Sequence, residues 1–430
     1  MGEQVAKYQQ YAEYKDSGVE WLGEIPASWV ATNLKRYCHI TDGSHHSPAI
    51  ESEGLPFVSV TDVGTNEINF IDAKKISNQA FMRLVKEGCK PSVGDVLLTK
   101  DGTIGRACIV TENMPDFVIL SSLGLLTPIK SLMNKYLYYF LISGINIDQM
   151  NSVIHGSALR RMTISKIEDL VLVLPHAEKE QIQIANFLDH ETAKIDSLIE
   201  KQKQLIQLLK EKRQAVISHA VIKGLDPSVK MKDSGVEWLG EVPEHWEIGR
   251  LKNVLSIKNG RDYKAVEVED GGYPVYGSGG IFKRSSEFLY DGISLLFGRK
   301  GTIDKPLLVE GKFWTVDTMF YSELVKNVDP EYIYFQSLGF PFDKLSTNTA
   351  LPSMTQEDLL NLGFVIPPVK EQTEISKFIK QYLEKNHSLM KKAESAIQLM
   401  QERRTALISA AVTGKIDVRH WKNAQEVLAV

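Results

Sequence analysis

Residues 15–29, KDSGVEWLGEIPASW, return 217 residues later as KDSGVEWLGEVPEHW over 232–246, identical at 12 of 15 positions. So long a period excludes the stacked blades and solenoid turns that short repeats build, and the repeated object is domain-sized. The chain is a duplication. At 430 residues, each copy is long enough to bury a core of its own.

The copies also close alike. Residues 178–221 contain neither Gly nor Pro, and apolar residues recur at Leu188, Ile195, Leu198, Ile199, Leu205, Ile206, Leu209, Val216 and Ala220. That spacing fits positions a, d and e of a heptad and predicts one long helix packed along its length, with polar Gln202 and Lys212 interrupting the seam. The pattern recurs over 370–412 through Ile375, Ile379, Tyr382, Leu389, Ala393, Ile397, Met400, Leu407 and Ala411. The helices end on KRQAVISHAV and RRTALISAAV. Seams of this kind are stabilised by a partner helix, and each is the other's nearest candidate. Antiparallel pairing is expected, with the globules at opposite ends of a pseudo-twofold molecule and helices of roughly 65 Å.

The globules read as mixed α/β. The β-rich runs PFVSVTDV, GDVLLTK, RACIV and DFVILSS in the first, and YPVYGSGG, GISLLFGRKGT, PLLV and WTVDTMFYSELV in the second, are separated by turn signals. Each globule adds an aromatic helix, NKYLYYFLISG or DPEYIYFQSLG. Its tyrosines, Tyr136, Tyr138 and Tyr139 or Tyr332 and Tyr334, are read as core and not as a base-stacking platform. The expected division is an α/β domain over 1–177, a helix over 178–225, a second α/β domain over 226–368, a second helix over 369–417 and a tail over 418–430. DGTIGRA (101–107) matches RKGTIDKP (299–306), and MTISKIEDLVLVLP (162–175) matches MTQEDLLNLGFVIP (354–367), whereas little between these landmarks aligns. A shared frame with dissimilar inserts suits a protein that reads two different things with one geometry.

Catalytic machinery is not legible. There is no GxxxxGK[ST] phosphate loop, GSGG at 277–280 is not followed by a helix as a dinucleotide fingerprint would be, and the Asn/Asp-Pro-Pro-aromatic motif of adenine-amine methyltransferases does not occur. Asp62 and Glu67 have no lysine at nuclease spacing, and His39, His45 and His46 have no partner at metal-ligand spacing. Cys38, Cys89 and Cys108 are scattered and expected to be reduced core residues. The chain is therefore expected to be non-catalytic, with no cofactor or metal of its own. Without a bilayer-length apolar run or a signal-peptide core, a cytoplasmic location is expected.

What remains is recognition. The net charge of −4 argues against nonspecific coating of nucleic acid, yet cations gather at Lys201, Lys203, Lys210, Lys212 and Arg213, at Arg160 and Arg161, and at Lys283, Arg284, Arg299 and Lys300. Loops of the first globule carry Ser44, His45 and His46; Lys100, Thr103 and Arg106; and His155, Ser157, Arg160 and Arg161. In the second globule the corresponding candidates are Asn259 and Arg261; Tyr276, Ser278 and Lys283; Arg299, Lys300 and Thr302; and Asn348 and Thr349. Arg and Lys suit guanine and Asn suits adenine in the major groove, while Ser and Thr mostly hold phosphates.

Taken together, these features resemble the specificity subunit of type I restriction-modification systems. The resemblance rests on the paired opening repeats, on YPVYGSGG with GRKGTI and WTVDTMF, and on Pro175 with Glu180 and Gln181 matched by Pro367 with Glu371 and Gln372. It spans essentially the whole chain. It implies two target recognition domains, each reading half of a bipartite, asymmetric site on double-stranded DNA. It also implies that the antiparallel helices dock two methyltransferase (modification) subunits, which use S-adenosylmethionine, and restriction motor-nuclease subunits, which use ATP and Mg. With the helices as a ruler and ~3.4 Å per base pair, half-site centres are expected on the order of 10 to 18 base pairs apart. Outer apolar positions such as Ile199 and Ile206 are expected to face those partners. In the opening repeats, Trp21, Trp238, Leu22, Leu239 and the closing Pro and Trp are expected to anchor each globule to the helices. A complex that only methylates is one alternative, and a coiled-coil scaffold that binds protein without DNA is another.

Overall fold

The structure, a computed structural model, describes residues 8–154, 160–325, 328–346 and 352–422. The fold is mixed α/β and divides into two compact units, Met1–Gln202 with Ser395–Val430, and Lys203–Glu394. Each unit thus holds one globule and a stretch of both long helices. Among the described residues, no helix is long and apolar enough to cross a membrane.

The opening repeat of the first unit is a hairpin, Tyr14–Asp16 against Glu24–Pro26, and the next strand, Trp29–Asn33, pairs with Val171–Pro175. The second unit repeats both, with Met231–Asp233 against Glu241–Pro243 and Glu247–Arg250 against Gly363–Ile366. The repeat and the landmark before each long helix are therefore neighbours in the fold. That shared frame leaves the sequence between them free to diverge.

Inside the frame each unit holds a four-stranded antiparallel sheet of the same order. In the first it runs Cys38–Asp42, Leu123–Pro128, Val96–Thr99, Ala107–Ile109, and in the second Leu255–Asn259, Met319–Leu324, Ser294–Gly298, Leu307–Val309. The third-listed strands are buried at every residue, as their unbroken apolar runs require. The inserts differ. The first is three-stranded, Leu55–Val58 lying between Lys74–Ile76 and Val118–Ile119, with the helix Asn78–Lys86. The second is five-stranded and contains the hairpin Tyr273–Gly277 with Gly280–Ser285, for which the GSGG stretch is the turn.

The closing Trp of each repeat is the largest buried side chain of its core, Trp29 at 0% and Trp246 at 1% exposure. An indole N–H so enclosed needs an acceptor, and the Glu at the start of each long helix supplies it: Trp29 Nε1 donates to Glu180 (3.0 Å) and Trp246 Nε1 to Glu371 (2.9 Å). The neighbouring Gln181 and Gln372 accept from Met133 N and Asp329 N, both at 2.9 Å, and so fix the start of each aromatic helix. The Glu-Gln pair does the same two jobs in both units although its distance from the preceding proline differs by one residue.

The tyrosines are core, as expected: Tyr136, Tyr138, Tyr139 and Tyr332 are buried and Tyr334 is half-buried. Tyr136 Oη donates to Val173 O (2.7 Å) and Val412 O (3.1 Å), and Tyr332 Oη to Val365 O (3.3 Å) and Val221 O (2.9 Å). Val412 and Val221 stand in the last turn of a long helix, where carbonyls have no intrahelical partner. Burial holds both phenols well above their ordinary pKa, so they remain protonated donors. The three cysteines are free and buried.

The long helices are Glu178–Lys223 and Val369–Val412. In the first unit Arg404 is bonded to Asp196 at 2.9 and 3.3 Å, while Gln183, nearer the start of the first helix, donates to Trp421 O beyond the end of the second. In the second unit Asn386 Nδ2 donates to Leu209 O (3.1 Å), and Ile217 and Val221 share a core with Ile375 and Ile379. The pairing is antiparallel within each unit, forming the expected coiled coil. Lys212 is exposed and does not interrupt a seam, whereas Asn386 is 3% exposed and does. Ile199 is also buried at 8% and Ile206 is half-buried, so neither is an outward position as expected. Outward apolar residues of these helices are Ile182, Leu198 and Leu399 in the first unit and Leu205, Leu208, Val369, Phe378 and Leu389 in the second. A two-helix seam uses chiefly a and d, which leaves apolar residues at other positions facing out. Trp21 departs as well: it is 48% exposed, whereas Trp238 is half-buried against Phe340 with ring centroids 5.6 Å apart. The first unit offers Trp21 no such ring among the described residues.

Candidate nucleic-acid interface

Each four-stranded sheet ends on three backbone segments held in the same register. The first strand runs out at Asp42-Gly43 in one unit and Asn259-Gly260 in the other. A side chain at either glycine would strike backbone, Ile119 O at 2.1 Å or Val316 O at 2.0 Å, so both places require glycine. The third strand runs on into Lys100-Asp101-Gly102-Thr103, or Arg299-Lys300-Gly301-Thr302. A crossing segment clamps this loop: Met162 N donates to Lys100 O (2.8 Å) and Gly102 N to Arg160 O (2.9 Å), as Met354 N does to Arg299 O (3.0 Å) and Gly301 N to Pro352 O (2.9 Å). Thr163 and Thr355 then cap the next short helix through Lys166 N and Asp358 N.

This register pairs Asp42 with Asn259, Lys100 with Arg299, Asp101 with Lys300, and Arg161 with Ser353. The backbone repeats and the side chains do not. In the first unit Asp42 Oδ2 lies 3.2 Å from His45 Nε2 and 3.5 Å from Lys100 Nζ. Asp101 Oδ1 continues the chain of charges, 3.9 Å from Lys100 Nζ and 3.3 Å from Arg161 Nε. In the second unit Arg299 spends one guanidinium donor on Asp317 O (3.3 Å), and neither Arg299 nor Lys300 has an ion-pair partner among the described residues.

The structure thus gathers many of the sequence candidates at these sheet ends. His45, His46, Thr103, Arg106, Arg160 and Arg161 are exposed around the first. Arg106 also reaches Val63 O (3.3 Å), and Arg160 is held by Asn151. Asn259, Arg261, Lys300 and Thr302 are exposed and Arg299 half-buried around the second. Tyr276 and Ser278 are half-buried at the turn of the insert hairpin, where Tyr276 packs on Phe313 and burial raises its phenol pKa. Lys283 is on that hairpin and is paired with Glu267. Two candidates are corrected as direct contacts. Ser44 is 4% exposed, its hydroxyl closing a turn onto His46 O and N, and Lys100 is 2% exposed between its two carboxylates. His155, Ser157, Asn348 and Thr349 lie outside the described residues. Sequence reasoning missed Asp42 and Asp101, because an acidic residue in a turn reads as turn chemistry until its cationic neighbours are placed.

The sequence model of the type I restriction modification DNA specificity domain matches twice, at residues 50–208 and 243–399. The MjaIX type I restriction enzyme specificity subunit of Methanocaldococcus jannaschii is 22% identical over 96% of this chain and 99% of its own length. The EcoKI specificity subunit of Escherichia coli K12 is 21% identical over 93% of this chain and 91% of its own. Among solved structures, a chain from a study of type I R-M complex assembly and conformational transition superposes with a TM-score of 0.66 at 14% identity, covering 91% of this chain and 99% of that one. The HsdS subunit from Thermoanaerobacter tengcongensis does so with a TM-score of 0.54 at 15% identity, covering 91% and 98%. Two domain matches that together take up most of the chain, set on a duplicated frame with divergent sheet ends, show that it belongs to the type I restriction-modification DNA specificity family, as a DNA specificity subunit.

Proposed function

We propose that each domain reads one half of a split, asymmetric target on double-stranded DNA, and that this chain contributes recognition while catalysis resides in its partners. The observation that carries this reading is the contrast at the sheet ends. One backbone register presents Asp42, Asp101 and Arg161 in the first domain and Asn259, Arg299, Lys300 and Ser353 in the second. Identical geometry with different chemistry is what two half-sites of different sequence require.

Partnership with methyltransferase and restriction subunits follows from the family. Two methyltransferase subunits, using S-adenosylmethionine, and restriction subunits, using ATP and Mg, dock in this proposal on the long helices, where Leu198, Leu205, Leu208 and Leu399 stand exposed. Apolar side chains in series on a helix need a covering surface. Exchanging residues 249–366 for the corresponding globule of a relative tests the proposal. One half of the recognised sequence should change and the other persist; change in both halves, or in neither, would refute it.

A further inference from the structure

We infer that the bases accepted at each half-site are chosen at the four register-matched positions: Asp42, Lys100, Asp101 and Arg161 in the first domain, and Asn259, Arg299, Lys300 and Ser353 in the second. This deepens the reading that each domain recognises one half-site, and rests on it.

The first set balances two carboxylates against two cations. Lys100 is enclosed and acts as a positioning residue, fixing the carboxylates on either side of it. Asp42 and Asp101 retain 20% and 21% of their side-chain exposure, and Asp101 Oδ1 is the enclosed oxygen of its carboxylate. An ionised carboxylate only accepts hydrogen bonds. In the major groove the matching donors are the exocyclic amines, N4 of cytosine and N6 of adenine. The first domain therefore reads an amine edge, with Arg161, paired to Asp101 through Nε and half exposed, placed to hold the adjoining phosphate or base.

The second set is cationic. Lys300 occupies the register of Asp101 and Arg299 that of Lys100, and neither faces a carboxylate among the described residues. Unpaired Arg and Lys are donors only, and their base-edge complement is guanine O6 and N7. Asn259, in the register of Asp42, replaces an obligate acceptor with an amide that both donates and accepts, which fits adenine N6 and N7. The second domain thus reads guanine, with adenine beside it.

The test uses the full chain assembled with its methyltransferase subunits, selected on a randomised duplex library whose bound fraction is sequenced. The wild-type complex should enrich a split motif with an amine-bearing base in one half and guanine in the other. D101K/R161S, which carries the second domain's residues into the first, should change the first half by about tenfold or more in base preference and leave the second half unchanged. K300D/S353R should do the converse; the exposed single variant K300D serves if either double variant fails to assemble. A motif unchanged in both halves, from variants that assemble and melt as wild type, overturns the assignment of these positions but leaves the two-domain reading intact. A wild-type complex that enriches no split motif overturns both.

Discussion

At the scale of single residues, the architecture depends on a few buried polar contacts repeated across the duplication. Glu180 accepts from Tyr11 Oη (2.8 Å) and Trp29 Nε1 (3.0 Å), so Glu180→Ala orphans two donors at once. A loss of about 1–3 kcal/mol in stability is expected from such a deletion, measurable by denaturant unfolding. Tyr136→Phe and Tyr332→Phe each leave carbonyls near the end of a long helix with one donor fewer, and should cost about 1 kcal/mol or more. Burial pushes the Cys38 and Cys108 thiols up to about 12, so both should resist alkylation in the native state and react only on unfolding. Because these pKa values are raised, the associated stability is fully present below the ordinary thiol value of 9.0 and is lost as pH rises toward 12. Trp29 and Trp246 are visible in the opening repeat, and the Glu-Gln pairs at the entries to the long helices. Their partnership is not, because Trp29 and Glu180 lie 151 residues apart and only the closed strand pair brings them together.

At the scale of elements, periodicity identifies both long helices, and their antiparallel pairing follows from the order of the chain, in which each helix comes after its own globule. Periodicity could not say which apolar side chains face inward, because an a, d, e pattern holds more apolar positions than one seam uses. Ile199 is therefore buried while Leu198 beside it is half exposed. The clearest polar seam residue, Asn386, stands seven residues from Ile379 and from Ala393, a spacing already present in the sequence. A single polar residue at such a position fixes register at some cost in stability. Asn386→Leu should therefore raise the melting temperature of the chain while broadening the pairing of the helices, read as extra exchange peaks or reduced amide protection along residues 205–215. The aromatic helices were legible because their tyrosines recur at helical spacing, and the inserts were not: each is built on one strand, Leu55–Val58 or Tyr273–Gly277, paired antiparallel to the next strand and parallel to a later one, but little sequence is shared there.

At the scale of the whole molecule, the duplication is the fact from which the rest follows. Two cores, each closed by a Trp, a Glu-Gln pair and a Tyr, hold two sheets of one topology whose ends carry different chemistry. The candidate site was half legible: most of the exposed loop residues were visible from composition, whereas the carboxylates that neutralise the first sheet end, and the burial of Ser44 and Lys100, became evident only once the loops were clamped together. With two cations at the second sheet end that have no ion-pair partner among the described residues, Arg299→Ala should weaken DNA binding by the assembled complex and lower the slope of affinity against salt, while leaving assembly with the partner subunits intact. Whether one frame reads two different half-sites is decided by mapping methylated adenines in DNA of cells that carry this chain with its partner subunits. A single split motif is expected, its halves different in sequence and separated by a gap of unread bases; a contiguous motif, or a palindrome with identical halves, would overturn the two-domain reading.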